Sequence, residues 1–335
     1  MNEPETIGAW KLLCFNWLLI AIASAAFGAG LMLTDFRVEP SGYVAVVMIA
    51  AVYGMFGYYN ATSPQRQNPR IAFPLTALAQ IIATIALLTS LSYIATSANF
   101  PLVDEKLLAF DRALGFEFSS YLNFVNDRPW LVALFAKSYA AINWELLVVV
   151  VALPFAGYYR RVGEFICAFA LALIVTICVS TLLPAIGAYG VLGLSSSQFP
   201  NIILEGYPVG YADTLRFAPL LRDGTLRTMD IFHLAGVLTF PSFHAVSAVL
   251  YLWAFWPIRL ARPFNLVCNG AMLASTPVGG GHFLVDIIAG IGLAVASIYA
   301  ARRIGLALGK SAAAPKTSIA KQGLETNPLS MEPAN

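Results

Sequence analysis

The chain has 335 residues, of which 59% are hydrophobic and 11% are charged, and its mean hydropathy is +0.72. A soluble globular domain carries about twice this share of charged residues, so the composition excludes an ordinary soluble protein and predicts a polytopic membrane protein. The net charge of +2 comes without a clustered basic patch, so nothing here indicates nucleic-acid binding.

Eight hydrophobic segments follow one another along the chain. A helix of about 20 apolar residues crosses the hydrocarbon core of a bilayer. The segments cover residues 12–34, 43–59, 71–97, 131–157, 165–186, 244–258, 264–280 and 282–301. The first lacks a cationic start and a small-residue cleavage site, so we expect it to remain as a membrane anchor. The sequence therefore predicts an all-α, polytopic bundle of about eight transmembrane helices.

The basic residues favour an orientation with the N-terminus in the cytoplasm. Twelve of the twenty then fall in short inner segments and seven fall outside, as the positive-inside rule requires. The inner set is Lys11, Arg66, Arg70, Arg160, Arg161, Arg259, Arg262, Arg302, Arg303, Lys310, Lys316 and Lys321. We therefore expect a multi-pass membrane protein with its long loops outside.

Two of these outer loops are long. In residues 98–130, apolar residues at helical spacing predict a helix on the membrane surface, with a plain connecting loop as the alternative. Residues 187–239 lead into a histidine motif, and a loop of this length is often functional. At the other end of the chain, residues 311–335 are rich in Ala, Ser, Pro and Lys, which predicts a disordered cytoplasmic tail.

Charged residues within the fourth span are costly and need partners. Lys137 and Glu145 are eight residues apart, which is about 12 Å along a helix and too far for direct pairing. We therefore expect each to meet a partner on another helix, either structural or functional.

The cysteines do not indicate a redox or metal site. All four lie in apolar stretches without metal-ligand spacing, as is typical of buried small hydrophobic residues. They are Cys14, Cys167, Cys178 and Cys268. We therefore expect no metal and no cofactor.

Two of the three histidines stand at the start of hydrophobic segments. His244 ends the stretch Thr-Phe-Pro-Ser-Phe-His, and His282 follows three glycines. Asp286 comes four residues after His282, so in a helix its carboxylate can bond the ring, fixing the proton on one nitrogen and leaving the other free to attack. A phosphoryl group is the natural electrophile, because helix N-termini and glycine amides offer donors to its oxygens.

The predicted topology brings these two histidines to the same side. The sixth span starts at His244 and runs inward, and the seventh returns outward to end before His282. Both should therefore meet at the outer face. The alternative is that they are satisfied polar groups at helix ends. His233 matches no motif and is interpreted as an ordinary loop histidine.

The chain carries two motifs roughly forty residues apart, Phe-Pro-Ser-x-His-Ala and His-aromatic-x-Val-Asp-x-x-x-Gly. Together they resemble the type 2 phosphatidic acid phosphatase superfamily, and within it the inositol phosphorylceramide synthase branch and its bacterial relatives. The matching residues are Phe240, Pro241, Ser242, His244, Ala245, His282, Phe283, Val285, Asp286 and Gly290. The resemblance covers residues 98–302 and implies a six-helix catalytic core made by the third to eighth spans. Residues 1–97 would then be N-terminal transmembrane helices, of which the third (71–97) joins the core.

The resemblance also implies a metal-independent reaction through a phosphohistidine. His282 would be the nucleophile and Asp286 its orienting partner. His244 would protonate the leaving oxygen and then activate water or an acceptor hydroxyl. The residues implied to hold the phosphate oxygens are Ser242 and the amides of Gly280 and Gly281.

The chain departs from the superfamily pattern where cations are expected. Members typically carry Lys-x6-Arg-Pro after the span before the first histidine motif, but residues 183–190 contain no Lys or Arg. The Arg usually found six residues before the nucleophile is Thr276, and the usual Gly of Pro-Ser-Gly-His is Phe243. A weaker clamp suits a phosphodiester, which carries one negative charge fewer than a monoester.

Arg222 and Arg227 are the candidate replacements for the missing cations. They lie shortly before the first histidine motif, on the predicted outer side, and guanidinium binds phosphate bidentately. The alternative is a solvated pair of loop arginines that bind Asp223 or membrane phosphates.

The sequence thus predicts an integral-membrane lipid phosphotransferase or phosphatase with an outward-facing site. It would transfer a phospho-head group or phosphoryl group to a lipid hydroxyl or to water, with membrane lipids as its partners. The donor, the acceptor and the oligomeric state do not follow from the sequence. Vanadium-dependent haloperoxidases share the histidine pair but need a rich cationic cage, and a transporter or flippase that binds lipid phosphate without cleaving it is the alternative.

Overall fold

The computed structural model describes residues 3–63, 65, 67–204 and 209–313, and this part of the chain is almost entirely helical. The helices are α1 (Glu3–Leu33), α2 (Pro40–Thr62), α3 (Pro69–Thr96), α4 (Asp104–Ala113), α5 (Phe118–Asn126), α6 (Pro129–Phe155), α7 (Tyr159–Leu182), α8 (Ala188–Val191), α9 (Pro200–Leu204), α10 (Val209–Arg222), α11 (Phe243–Phe255), α12 (Arg262–Gly280) and α13 (Leu284–Ala313). Two short strands, β1 (Arg37–Val38) and β2 (Thr228–Met229), pair in parallel. Short 3₁₀ turns occupy Ser196–Gln198 and Arg259–Ala261.

Each of the eight predicted spans coincides with a helix of one bundle. Six of these helices, α1, α2, α3, α6, α7 and α13, are long and apolar enough to cross a membrane. The all-α, polytopic bundle is therefore confirmed. The 13 residues of α11 extend only about 20 Å, less than the hydrocarbon thickness of about 30 Å. The last turn of α11 lies beside Arg161 at one end of the bundle, so the helix falls short at its start, and the chain enters the bundle before α11 begins.

Helix α3 lies inside the bundle, whereas α2 lies at its edge. α3 contacts α1, α6 and α7, and α2 packs mainly on α3. The buried residues of α2 are Gly42 and Gly57, and a Cβ at Gly57 would lie 3.2 Å from the Ala72 carbonyl oxygen. The two helices can approach closely there because glycine has no side chain, and the rest of α2 faces outward.

The two charged residues of α6 have different surroundings. Glu145 is buried and accepts hydrogen bonds from Cys268 Sγ (3.0 Å) and Asn269 Nδ2 (2.8 Å) on α12, so its predicted interhelical partner is confirmed. Lys137 is exposed on the bundle surface and makes no ion pair within the described residues, so the same expectation is wrong for Lys137. Its flexible stem lets the ammonium follow the helix surface toward water.

Basic residues gather at the end of the bundle opposite His244. Arg160 pairs with Glu164 at 2.8 Å, and Arg161 donates to the Trp253 carbonyl oxygen near the far end of α11. The Arg161 guanidinium also lies 3.6 Å from the centroid of the Trp253 ring. Arg160 and Arg161, two of the residues predicted to lie inside, thus share this end of the bundle, and the orientation itself stays a prediction.

The predicted helix in the loop 98–130 is present as α4, and α5 follows it. Its apolar face packs on protein, because Leu107 and Leu108 share a buried cluster with Phe283 and Tyr189. These two leucines therefore pack on protein, Phe110 and Leu114 are exposed, and the placement of the helix on a membrane surface stays a prediction. At the other end of the chain, α13 continues to Ala313, and the remainder of the predicted tail, 314–335, lies outside the described residues.

Candidate functional site

One cavity of about 660 Å³ brings the two motif histidines together. His244 and His282 both line it, with α3, α6, α7 and α10 forming its other walls. The walls are mostly apolar, and they include Ile85, Leu88, Leu146, Phe169 and Leu173. Among the described residues, no Lys or Arg lines this cavity.

The His282 ring is held by the carboxylate four residues later. Its Nδ1 donates to Asp286 Oδ2 at 3.2 Å, and the same oxygen accepts from the Phe283 N–H at 3.0 Å. Asp286 is fully buried. Since a carboxylate only accepts, the bond requires the proton on Nδ1 and leaves Nε2 with its lone pair free.

The two histidine motifs are joined directly through their backbones. Ser242 donates its N–H to the Asp286 carbonyl oxygen at 3.1 Å. A Cβ at Gly290 would lie 2.5 Å from the Ser242 carbonyl oxygen, so glycine is required where α13 passes the start of α11. Ser242 itself is fully buried, and its hydroxyl caps α11 by accepting from the Ala245 N–H at 3.4 Å. This predicted phosphate ligand thus lies beneath the cavity wall as a helix cap.

The glycines before His282 make room for a tyrosine. Helix α12 continues through Gly280, so the Gly280 N–H lies in the helical ladder, although Gly280 lines the cavity. A Cβ at Gly279 would lie 2.7 Å from the ring of Tyr139, and one at Gly280 would lie 2.9 Å from the Tyr139 hydroxyl. Gly281 ends α12 with φ +66°, where glycine is favoured, and its carbonyl oxygen accepts from the Ala188 N–H at 2.7 Å.

Tyr139 also stacks on His244, with ring centroids 3.8 Å apart and ring planes 12° apart. The tyrosine therefore touches both histidine motifs, because the glycines of one give it space and the imidazole of the other lies on its face. Sequence reasoning missed Tyr139, since it belongs to no motif and lies in an apolar span.

Two buried carboxylates of α4 hold the loops around His282. Asp111 accepts from the Leu284 and Val285 N–H groups at 2.8 and 2.9 Å, at the first turn of α13. Asp104 accepts from the Gly187 N–H at 2.7 Å. Burial raises the pKa of both carboxyl groups, and these N–H donors oppose the rise. Their seven-residue spacing, which puts both on one helical face, is the sequence signal that would have found them.

The predicted replacement cations lie away from the cavity. Arg222 donates to the Phe100 carbonyl oxygen at 2.9 Å, and Arg227 donates to the Leu221 carbonyl oxygen at 2.9 Å. Neither lines the cavity, because its wall is formed by the first half of α10 and Arg222 ends that helix. Thr276, which replaces the usual Arg, is fully buried and donates to the Met272 carbonyl oxygen at 2.8 Å.

His233 has no part in this cavity. Its Nδ1 lies 2.7 Å from Asp230 Oδ2, and its side chain is 81% exposed. The hydrogen bond from His233 lowers the pKa of the Asp230 carboxyl. The interpretation of His233 as an ordinary loop histidine fits this placement.

A family model described as PAP2 superfamily matches residues 105–300, more than half of the chain. The matched region runs from α4 through both histidine motifs into α13. No curated protein and no solved structure matches the chain significantly.

The Asp111 contacts predict a stability difference. We expect Asp111→Ala to lower the free energy of unfolding by about 1–2 kcal/mol, the usual loss when a side-chain acceptor is removed from a helix start. Asp111→Asn keeps one acceptor oxygen and should lose less. Thermal unfolding in detergent and hydrogen exchange of the Leu284 and Val285 amides measure the effect.

Glu105→Ala is the matched control, because Glu105 lies on the exposed face of the same helix. Equal unfolding temperatures for the Asp111→Ala and Glu105→Ala variants, with equal amide protection at residues 284–285, would contradict a stabilising role for Asp111.

Proposed function

Because the chain belongs to the PAP2 superfamily, we propose that it is an integral-membrane lipid phosphotransferase or phosphatase that works through a phosphohistidine. The observation that carries the proposal is the His282–Asp286 pair in a cavity shared with His244. The apolar helices place such an enzyme in a membrane. On its motif resemblance we group it with the bacterial relatives of the inositol phosphorylceramide synthase branch, in a bacterial inner membrane. On its charge bias we orient the cavity outward.

The chemistry follows from the two imidazoles. His282 Nε2 attacks the phosphorus of a lipid phosphate ester, a P–N bond forms, and the P–O bond to the leaving alcohol breaks. His244 gives its proton to that leaving oxygen. In the second half, His244 takes the proton of an acceptor hydroxyl or water, whose oxygen attacks phosphorus and releases His282.

The start of α11 is the anion site that best suits the phosphate. The Phe243 and His244 N–H groups make no hydrogen bond within the described residues, and both residues line the cavity. The Ala245 N–H is taken by the Ser242 cap. Unsatisfied N–H groups and the positive end of the helix dipole together bind phosphate oxygens.

The start of α13 is not available for this purpose. Its N–H groups at Phe283, Leu284 and Val285 bind the carboxylates of Asp286 and Asp111. One helix end without a lysine or arginine stabilises a monoanion better than a dianion. The arrangement therefore favours a phosphodiester and head-group transfer, and gives no role to Arg222 or Arg227.

The apolar walls suit a lipid. Ligand pockets commonly have volumes of about 300–1,000 Å³, and this cavity of about 660 Å³ is walled by leucine, isoleucine and phenylalanine from three bundle helices. Such walls can take the glycerol end and upper acyl chains while the phosphate lies at α11. A site of this kind also limits water, which favours transfer to a lipid hydroxyl.

Replacing each of the two histidines should reduce activity in a different way. We expect His282→Ala to reduce turnover by at least about a thousandfold, because the nucleophile is gone. We expect His244→Ala to cost about 10²–10⁴ on a lipid with an alkoxide leaving group. First-turnover release of nitrophenol from a p-nitrophenyl phosphodiester should be spared, since that leaving group needs no proton, and the phosphohistidine should accumulate.

Equal loss on both kinds of substrate in the His244→Ala protein would contradict its role as the acid. Lipid binding with neither turnover nor labelled His282 in the wild-type protein would instead identify a transporter. His233→Ala is the matched control, because His233 is an exposed histidine away from the cavity.

Tyr139 should act as a positioning residue for His244. Tyr139→Phe keeps the stacked ring and should retain most activity, whereas Tyr139→Leu should lose about two- to tenfold, in line with the energy of an aromatic stack. The loss should be larger for alkoxide than for nitrophenoxide leaving groups. A loss in Tyr139→Leu that is independent of the leaving group would show a merely structural effect.

Metal dependence is a further test. Within the described residues, no three His, Cys, Asp or Glu side chains are grouped to hold a metal ion. We expect unchanged initial rates in excess chelator, measured on the purified protein in detergent. Strict dependence on Mg²⁺ or Mn²⁺ would overturn the phosphohistidine mechanism as written.

A further inference from the structure

A carboxylate lies in the wall of the catalytic cavity. Asp213, on α10, lines it and is half-buried. Of the described residues that line the cavity, Asp213 is the one Asp or Glu, and no Lys or Arg accompanies it. Its carboxylate makes no hydrogen bond or ion pair within the described part of the chain.

Helix α10 carries Asp213 close to the loop of His282. A Cβ at Gly210 would lie 3.2 Å from the Gly279 carbonyl oxygen and would also contact the Tyr139 hydroxyl. The first turn of α10 therefore packs against the end of α12, just before the nucleophile. Asp213 follows Gly210 by three residues, on the same side of the helix.

The basic side chain of Arg216, which is near Asp213 on α10, does not pair with the Asp213 carboxylate. Arg216 is one turn further along α10, is exposed, and has its guanidinium 5.0 Å from the centroid of the Phe217 ring. It does not line the cavity. Burial raises the pKa of the Asp213 carboxyl, and the charge of Arg216 opposes the rise.

A free carboxylate in the same cavity as a phosphate site repels every anionic substrate, and a dianionic monoester most of all. A head group with a cation removes this conflict, since its phosphate can bind the start of α11 while its ammonium pairs with the carboxylate. A neutral polyol head group can donate hydrogen bonds to the carboxylate but leaves its charge uncompensated in a half-buried wall.

We propose that Asp213 is a specificity residue that selects phosphodiester lipids whose head group carries a positively charged amine, such as ethanolamine. The inference rests on the proposed function of the same cavity. It names the donor class, a zwitterionic phospholipid, which the family match does not supply, and it departs from the inositol head group that the name of the resembled branch implies.

The test compares three donors in one detergent: phosphatidylethanolamine, phosphatidylglycerol and phosphatidylinositol. We expect wild-type protein to prefer phosphatidylethanolamine. Asp213→Asn, which keeps the shape and removes the charge, should lower kcat/KM for phosphatidylethanolamine by at least about tenfold, chiefly through KM, because one charge-assisted contact is lost. Turnover of phosphatidylglycerol should stay unchanged or rise. Glu105→Gln removes an exposed carboxylate outside the cavity and should change none of these values.

A binding measurement separates failure of this inference from failure of the proposed function. Native mass spectrometry of the His282→Ala protein with each lipid should show a preference for phosphatidylethanolamine that Asp213→Asn abolishes. Three results would overturn the role of Asp213 and leave the phosphohistidine intact. They are turnover of all three lipids without preference, a preference for phosphatidylinositol, and equal losses on every donor in the Asp213→Asn protein. If no lipid is turned over, the enzyme assignment fails, and equal binding of the three lipids would overturn the Asp213 inference as well.

Discussion

The start of α13 is the point on which the geometry of the cavity depends. A helix leaves its first N–H groups without partners, and in a membrane protein such groups are costly when no side chain or water satisfies them. Here two carboxylates satisfy them: Asp286 binds the Phe283 N–H, and Asp111 binds those of Leu284 and Val285. The helix dipole favours negative charge at this end. The same Asp286 oxygen then fixes the His282 ring, so satisfying the helix end and orienting the imidazole are one arrangement.

This arrangement has a consequence for where an anion can bind. Two helix starts meet at the cavity, joined by the bond from the Ser242 N–H to the Asp286 carbonyl oxygen. The carboxylates occupy the start of α13, whereas the Phe243 and His244 N–H groups at the start of α11 make no hydrogen bond within the described residues. One helix end therefore positions the nucleophile and the other is left for the phosphate. This division of labour is what we propose in place of the cations that the superfamily pattern would supply.

Local patterns in the sequence predicted those features of the fold and the site that depend on residues close together in the chain. Hydropathy located the bundle helices, and the four-residue spacing of His282 and Asp286 located their hydrogen bond. The Asp111 contact joins residues 173 positions apart, which no local period encodes. The glycines before His282 were interpreted as amide donors, but α12 runs on to Gly280 and Tyr139 fills the space above them. Arg222 is near His244 in sequence, yet it lies at the end of α10 that leaves the cavity.

The cavity lies deep within the bundle, and this depth affects how the helix end and the free carboxylate bind a substrate. Its lining residues on α3 run from Ile85 to Ser92, four to eleven residues before that helix ends at Thr96, or about 6–17 Å inward. The short α11 likewise starts inside the bundle rather than at its rim. In such apolar surroundings a helix end binds an anion more strongly than it would in water, but any charge left unpaired costs more. In a site with one helix end and one free carboxylate, each charge therefore finds a partner of opposite sign only in a substrate that brings both signs of charge. If Asp213 has the role that we propose, the absence of Lys and Arg among the described lining residues is what makes the cavity selective, because a lysine beside Asp213 would neutralise the carboxylate that distinguishes one head group from another.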